Sequence, residues 1–451
     1  MKIEKNSFYG VFGLGLSGKA TLDFLNQQGY KALAWDDSAE NIKSSDKNYK
    51  NIEFCDIKNP EWKNIDCLIL SPGIPLHYPE PHPIVSIAKE NGIEIICDVE
   101  LFYRHFSDNK YIGITGTNGK STTASLISHI FDSNNLPYKI LGNIGTPALS
   151  VTPRPEDIII IEMSSYQLDL VKNLHFDVAI LLNITPDHLE RHGNMENYIE
   201  SKFCIFHHQD KTDHAIINKS LETQDIGSSI TCFSGNELLD TGISVSKDGI
   251  YDNRKYLAVN LPHSLSGSHN HENLAASYAS VKSITTLTER EIIKSIESFK
   301  GLSHRMQLVG QIGHLQFIND SKGTNFESTK QALNSFKNIY WIAGGKAKAG
   351  GIQGIEKFAE KIKLVFLIGE SQKLFADTLE KHNIPYYYSK SLNLAFVDAT
   401  QEAQRDTQDN VILLSPSASS LDQWKNFEER GNSFIRLVEK YVTTHKKAFH
   451  L

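Results

Sequence analysis

The segment Gly116-Thr117-Asn118-Gly119-Lys120-Ser121-Thr122 carries the residue types needed to hold a polyphosphate. Successive backbone N–H groups in a Gly-rich loop can wrap a phosphate. A helix opening from the loop adds the positive end of its aligned peptide dipoles. Lys120 can reach the β- and γ-phosphates, and the Ser121 hydroxyl can ligate the Mg²⁺ that bridges them. The usual phosphate loop of nucleotide hydrolases has a glycine five residues before its second glycine; here that position is Ile114, so the loop is shorter. The bland alternative is a turn capped by Ser121 with an exposed lysine. A strand, a Gly-Lys-Ser and a helix in register argue against it.

Phosphoryl transfer also needs metal ions and fixed charges near the γ-phosphate. Glu162 follows the apolar run Asp157–Ile161. A carboxylate at the carboxyl end of a central strand lies beside the phosphate loop of an α/β sheet, which suits a second Mg²⁺; the competing reading is an acid that points to water. Asp187-His188-Leu189-Glu190-Arg191-His192 follows the strand that ends near Asn183 and is dense in reactive groups. His188 is a candidate Mg²⁺ ligand, although a loop histidine is more often merely exposed. Lys202 falls on a predicted helix, Asn197–Phe206, where spacing alone reads it as a surface lysine.

A second Gly-rich loop, Gly13-Leu14-Gly15-Leu16-Ser17-Gly18, matches G-x-G-x-x-G, and Asp36 follows at the end of the next strand. That is the dinucleotide fingerprint in its expected context. Three readings stay open: a nicotinamide dinucleotide, another nucleotide-linked group such as a UDP-sugar, or glycines that only permit a tight turn and close helix packing.

These groups need strands to carry them. Tyr9–Leu14, Tyr30–Trp35, Asp66–Leu70 and Ile93–Cys97 read as strands, with a helix over Ser17–Gln28. Tyr111–Thr115, Asp157–Ile161 and Val178–Leu182 follow, with helices over Thr122–Phe131 and Asn273–Ser283. Between them, about Thr231 to Pro262, turn residues and short β-like runs suggest small antiparallel strands at a sheet edge. Leu315–Asn319, Ile339–Ala343, Leu364–Ile368 and Val411–Leu414 form a last series. Strand–helix alternation with apolar strands implies parallel sheets covered by helices. The fold expected is α/β in three domains: residues 1–98, 99–301 and 302–451.

Bulk composition narrows the function. The 451 residues hold 46 basic and 53 acidic side chains, a net charge of -7, which argues against general nucleic-acid binding. The cysteines, five in number, are widely spaced with no C-x-x-C, against a disulfide framework or a cysteine zinc site. The N-terminus runs straight into a strand pattern with no signal-peptide core. No apolar run approaches the roughly 20 residues of a membrane span. A reducing cytoplasm is the expected location.

Taken together, the motifs resemble those of the Mur ligases. The blocks are GLGLSG from Gly13, SPGIP at Ser71, CDVELF at Cys97, GTNGKST, GNIGTPAL at Gly142, IEMSSYQL at Ile161, LNITPDHLERHG at Leu182, SGSHNHENLAA at Ser266, GLSHR at Gly301, INDSKGTN at Ile318 and LLSPSASSLDQWKNFEERG at Leu413. Each is weak alone; in this order over nearly the whole chain they are very specific. The last block is most similar to members that add D-glutamate to UDP-N-acetylmuramoyl-L-alanine.

The resemblance implies a Rossmann-like N-terminal domain for the UDP-linked precursor, a central P-loop-like ATP-binding domain and a C-terminal Rossmann-like α/β domain for the amino acid. It implies peptidoglycan precursor synthesis, and through it a part in cell-wall biogenesis, cell shape and division. ATP would phosphorylate the precursor carboxylate, and the D-glutamate amine would displace phosphate. For ATP it implies Gly116, Thr117, Asn118, Gly119, Lys120, Ser121 and Thr122, with Asn273, Arg305, Asp320 and Lys322. For the UDP-linked precursor it implies Leu16, Ser17, Asp36, Ser71, Pro72, Gly73, Asn143 and His188. For D-glutamate it implies Thr324, Lys348, Ser420 and Phe427. Two Mg²⁺ ions would be held by Ser121, Glu162, His188 and Lys202, the lysine carbamylated by CO2; Lys120, His188 and Lys202 are the catalytic set. A monomer that closes its domains around its substrates is expected.

Two departures stand out. Asp36-Asp37-Ser38 lacks an arginine that some relatives place beside the uracil. Gly344-Gly345-Lys346-Ala347-Lys348 offers two lysines, of which Lys348 aligns. Among rivals, folate polyglutamate ligases carry an extra glycine after the loop lysine, where Ser121 stands here. The diaminopimelate- and lysine-adding ligases carry a different third-domain signature. A nicotinamide-dependent oxidoreductase would leave Lys120, Glu162 and Lys202 without a task. A nucleotide-binding regulator without turnover is the remaining alternative.

Overall fold

The structure is a computed structural model describing residues 7–142, 146–221, 226–265, 267–347 and 350–448. The chain divides into two compact units, Met1–Phe299 and Lys300–Leu451.

The first unit holds two sheets. One is built from β1 (Phe8–Phe12), β2 (Lys31–Trp35), β3 (Ile52–Phe54), β4 (Cys67–Leu70) and β5 (Glu94–Ile96), in the order β3-β2-β1-β4-β5. All its pairings are parallel. The order reverses between β1 and β4, and a cleft at their carboxyl ends is where such sheets bind ligands. The second sheet is built from β6 (Tyr111–Thr115), β7 (Tyr138–Gly142), β8 (Ile158–Glu162), β9 (Val178–Leu181), β10 (His214–Asn218), β11 (Ser229–Ser234), β12 (Ile243–Ser246), β13 (Gly249–Asp252) and β14 (Lys255–Leu257). Its order is β14-β13-β12-β11-β10-β9-β6-β8-β7. The small antiparallel strands expected after Thr231 are β12, β13 and β14 at one edge; β11 instead pairs parallel with β10 and β12.

One apolar core runs from the first sheet to one face of the second. Leu22, Leu68, Phe102, Phe176 and Leu181 all belong to it. The opposite face of the second sheet packs the helices Lys120–Ser133 and Ser268–Ile284 through Leu126, Ile130, Leu274 and Tyr278. β6 is buried along its whole length, so the loop that leaves it starts from a fixed point.

The second unit has one sheet: β15 (Gln307–Ile312), β16 (Leu315–Asn319), β17 (Ile339–Gly344), β18 (Ile362–Ile368), β19 (Tyr386–Lys390) and β20 (Asn410–Leu414). The order is β15-β16-β20-β17-β18-β19, parallel except for the β15/β16 pair. Helices cover both faces, with separate cores around Trp341 and Phe396. Among the described residues no helix is long and apolar enough to cross a membrane.

Candidate functional site

At the β1/β4 switch point lies a cavity of about 440 Å³. Leu16, Ser17, Asp36, Ser71, Pro72 and Gly73 line it, together with Gly142, Pro147 and Gln167 from the second sheet's side. The glycines serve the turn: a Cβ on Gly18 would fall 2.0 Å from the Gly13 carbonyl oxygen. Asp36 braces that turn, accepting from the Leu14 N–H at 2.5 Å and the Ser38 N–H at 2.7 Å. Ser71 Oγ donates to the Gly13 carbonyl at 2.6 Å, tying the two strand ends together. Leu16 is 79% exposed at the start of the Leu16–Gln28 helix. Asn143 lies outside the described residues.

The loop Gly116–Gly119 joins β6 to the Lys120–Ser133 helix. No side chain caps this helix start among the described residues, and the N-terminal end of a helix suits an anion. Gly119 adopts φ +91, and a Cβ there would fall 2.2 Å from Asn273 Oδ1. Only glycine lets the loop pass so close to Asn273, itself buried in the Ser268–Ile284 helix. The loop is held from its other side by the residues after β9. Asn183 accepts from the Thr117 N–H through its carbonyl and from the Asn118 N–H through Oδ1, both at 2.9 Å. The Thr185 N–H donates to Thr117 Oγ1 at 3.0 Å, and Tyr198 OH lies 3.0 Å from the same oxygen. Lys120 Nζ donates to the Gly116 carbonyl at 2.6 Å and the Thr117 carbonyl at 3.1 Å, so its charge sits over the loop. Thr122 is buried in the first turn.

Glu162 is 2% exposed and accepts from Ser121 Oγ at 3.3 Å. The reading of Glu162 as an acid pointing to water is therefore incorrect. Lys202 is also only 2% exposed, which overturns its reading as a surface lysine. It sits in the Met195–Phe203 helix with its ammonium 4.7 Å from the centre of the Tyr198 ring. Burial, then repulsion from Lys120, pushes its ammonium down to about 7 from the usual 10.5.

His188 lies in the left-handed region, φ 54, and its side chain is about half exposed (47%). Its ring meets the Tyr166 ring at 5.2 Å, and Tyr166 stacks on His192 at 5.3 Å. His192 is buried; desolvation, reinforced by Lys202, lowers its pKa to about 4. Among the described residues no group of three or more His, Cys, Asp or Glu side chains is placed to hold a metal ion. Ser121 and Glu162 form a buried pair of oxygen donors, the ligand type that Mg²⁺ takes.

The second unit has its own cluster at the carboxyl ends of β16 and β20. Asp320 is 5% exposed, accepts from Ser415 Oγ at 2.7 Å and from the Met306 N–H at 3.2 Å, and is pushed up to about 6 by burial. Arg305 directly precedes Met306, its N–H donating to the Leu302 carbonyl at 3.3 Å. The tight turn after Asp320 places Lys322, whose ammonium is 5.6 Å from the centre of the Phe427 ring, and Thr324. Ser420 is buried in the turn after β20. Lys348 lies outside the described residues. Sequence reasoning passed over Arg430, which is fully buried and donates to the Ser321 and Ala418 carbonyls at 2.8 and 3.1 Å. Burial lowers its guanidinium to about 10.

Three family models match in order: the Mur ligase MurD-like N-terminal domain over residues 8–97, the Mur ligase middle domain over 114–281, and the Mur ligase glutamate ligase domain over 304–418. The chain is 42% identical to the UDP-N-acetylmuramoylalanine–D-glutamate ligase of Rickettsia prowazekii (strain Madrid E), over 98% of this chain and 100% of that protein. The chain belongs to the Mur ligase family. Solved Mur ligases share its fold. The UDP-N-acetylmuramate-alanine ligase MurC of Thermotoga maritima superposes with a TM-score of 0.56 at 17% identity, covering 97% of this chain and 99% of that one. The MurF ligase of the same organism, in complex with ADP, superposes with a TM-score of 0.55 at 16% identity, also covering 97% and 99%. Beside the motif residues of a Mur ligase, the site here depends on Asn183, Thr185, Tyr166 and Tyr198, which sequence reasoning did not single out. Asn183 and Thr185 lie in the block LNITPDHLERHG and Tyr166 in IEMSSYQL, so the blocks held the signal.

Proposed function

We propose that this Mur ligase joins D-glutamate to UDP-N-acetylmuramoyl-L-alanine at the expense of ATP, through an acyl phosphate. The observation that carries the reading is the convergence, at the carboxyl ends of β6 and β8, of the Gly116–Thr122 loop, the buried Ser121–Glu162 pair and the buried Lys202, which lies against Tyr198 and feels the charge of Lys120. Full-length likeness to relatives bearing the D-glutamate ligase name supports the choice of amino acid.

The division of labour follows the sheets: residues 1–98 take the UDP-linked precursor, 99–301 take ATP, and 302–451 take D-glutamate. Leu16, Ser17, Asp36, Ser71, Pro72 and Gly73 hold the uridine diphosphate end, with Asn143 and His188 toward the muramoyl end. The loop amides and Lys120 hold the ATP phosphates; Asn273, Arg305, Asp320 and Lys322 serve the nucleotide. Thr324, Lys348, Ser420 and Phe427 receive D-glutamate.

A carboxylate has no good leaving group. Its oxygen attacks the γ-phosphorus and ADP departs. The amine of D-glutamate then adds to the acyl carbon, and the tetrahedral intermediate expels phosphate as the nitrogen loses a proton. Each step brings anions together, so fixed positive charge is the main catalytic need. Lys120 supplies part of it. Two Mg²⁺ ions, when bound, would neutralise the phosphate oxygens. Ser121 and Glu162 offer them oxygen ligands, and His188 a nitrogen.

An amine cation is no metal ligand. At neutral pH, however, about half of a lysine titrating near 7 is free amine, and burial puts Lys202 there. Its nitrogen can add to CO2 and release a proton, giving an anionic carbamate that can join the metal site. The test is phosphate release from Mg-ATP with UDP-N-acetylmuramoyl-L-alanine and one amino acid at a time. D-glutamate is expected to be the amino acid that supports turnover. NADH binding without ligase turnover would favour the oxidoreductase reading of the first loop.

A further inference from the structure

The turn Ser71–Ile74 closes one side of the first cavity, and its carbonyls converge on a single side chain. Arg191 Nη1 donates to the Gly73 carbonyl at 3.0 Å. Nη2 donates to the Pro72 carbonyl at 3.2 Å and the Ile74 carbonyl at 3.0 Å. Pro72 has no N–H to contribute to a ladder, and the turn's own bond is from the Ile74 N–H to the Ser71 carbonyl at 3.0 Å. Three carbonyl dipoles aimed at one point repel each other unless a cation sits between them. The guanidinium therefore fixes the turn's shape.

Arg191 is itself held. Its guanidinium carbon lies 4.6 Å from the centre of the Tyr166 ring. Tyr166 stacks on His192, and His192 meets Tyr198 at 5.2 Å. Tyr198 in turn touches Thr117 of the phosphate loop. Arg191 also shares the short Leu189–His192 helix that follows His188, its N–H donating to the His188 carbonyl at 2.9 Å. A second close approach reinforces the joint: a Cβ on Gly193 would fall 2.8 Å from the Tyr78 ring. One side chain thus joins the turn of the first sheet to a stack that ends on the phosphate loop of the second.

We propose that Arg191 is a positioning residue for the UDP-linked substrate, holding the Pro72–Gly73–Ile74 turn in register with His188 and the phosphate loop. The proposal rests on assigning the cavity at the β1/β4 switch point to that substrate. Arg191 is not among the residues lining the cavity, so it acts through the turn. Lysine cannot replace it: a single ammonium lacks the planar fork that serves three carbonyls while lying flat on an aromatic ring.

The experiment is steady-state kinetics on wild type, Arg191→Gln, Arg191→Lys and Tyr166→Leu, varying UDP-N-acetylmuramoyl-L-alanine and Mg-ATP in turn, with thermal unfolding of each protein. Losing hydrogen bonds to a charged group should raise the KM for the UDP-linked substrate about tenfold or more in Arg191→Gln. Arg191→Lys should show a smaller rise of the same kind, and so should Tyr166→Leu, which removes the seat and keeps the charge. The KM for Mg-ATP should stay within about twofold, because the phosphate loop keeps its separate braces from Asn183 and Thr185. An unchanged KM for the UDP-linked substrate in the folded variants overturns the proposal. A parallel rise in both KM values also overturns it, because that marks a general structural role. A wild-type protein that does not turn over this substrate at all overturns the cavity assignment beneath it instead.

Discussion

Replacing Lys202 by methionine should stabilise the first unit at low pH while destroying activity. Methionine keeps the length and apolar packing of the lysine stem and removes only the ammonium. In the folded chain that ammonium titrates near 7 instead of 10.5. At about 1.4 kcal/mol per pH unit, the difference corresponds to a penalty of about 5 kcal/mol for keeping the lysine protonated in place. Between those pH values the unfolded chain holds the extra proton and the folded chain does not, so wild-type stability rises with pH. The penalty is complete below about 7, fades as pH rises through the window, and is gone above 10.5. The assay is denaturant unfolding of wild type and Lys202→Met in CO2-free buffer, since carbamate formation would remove the cation. The variant should gain about 5 kcal/mol at pH 6 and about 2 kcal/mol at pH 9. An equal gain at both pH values, or a loss at pH 6, would refute the claim that a desolvated cation is at stake.

Four further outcomes are expected. Lys120→Ala should cut turnover by about a hundredfold or more by removing a charge from the phosphates, with an unchanged circular dichroism spectrum; wild-type ATP use would count against the loop placement. Lys202→Ala should be inactive, and small carboxylic acids should partly restore phosphate release by standing in for the carbamate. Full activity without rescue would remove the carbamate from the account. Gly119→Ala should raise the KM for ATP, because its Cβ would collide with Asn273, and a normal KM would show that the loop can yield. Glu100 is fully buried and accepts from the Lys172, Asn173 and Leu174 N–H groups at 3.0–3.1 Å and from Arg104 Nε at 2.9 Å. Glu100→Ala should cost about 3–5 kcal/mol by leaving three backbone N–H groups without their acceptor and Arg104 with Glu94 alone, read as a lowered unfolding midpoint with little change in KM.

The strands that carry the chemistry were legible because they are buried on both faces. β6 runs over the residues its apolar pattern marks, and the fully buried β9 ends one residue short of the expected Leu182. Edge strands β3, β7, β15 and β19 escaped, since polar residues such as Glu53, Lys139, Gln311 and Ser389 interrupt any apolar run. β10 escaped too, although it is central and largely buried; its five residues begin and end with polar side chains. Lys202 was misread for a different reason. Spacing in fact puts it on the buried face of its helix, four residues after Tyr198 and three before Ile205, all of them buried. The spacing was read the other way because lysine seldom survives burial. Arg430 went unnoticed for the same reason, inside a block whose other residues were read. The braces of the phosphate loop, Asn183 and Thr185, lie inside the block LNITPDHLERHG but act largely through backbone and amide groups, so their residue types alone did not mark them as braces.

The central claim is that the phosphate loop, the cavity at the β1/β4 switch point and the second unit serve one amide-forming reaction. Phosphate release from Mg-ATP and UDP-N-acetylmuramoyl-L-alanine, followed with D-glutamate, L-glutamate, L-lysine and meso-diaminopimelate offered singly, tests it most directly. Stoichiometric phosphate and amide product are expected with D-glutamate alone. Turnover confined to another amino acid, or none with any of the four, would contradict it.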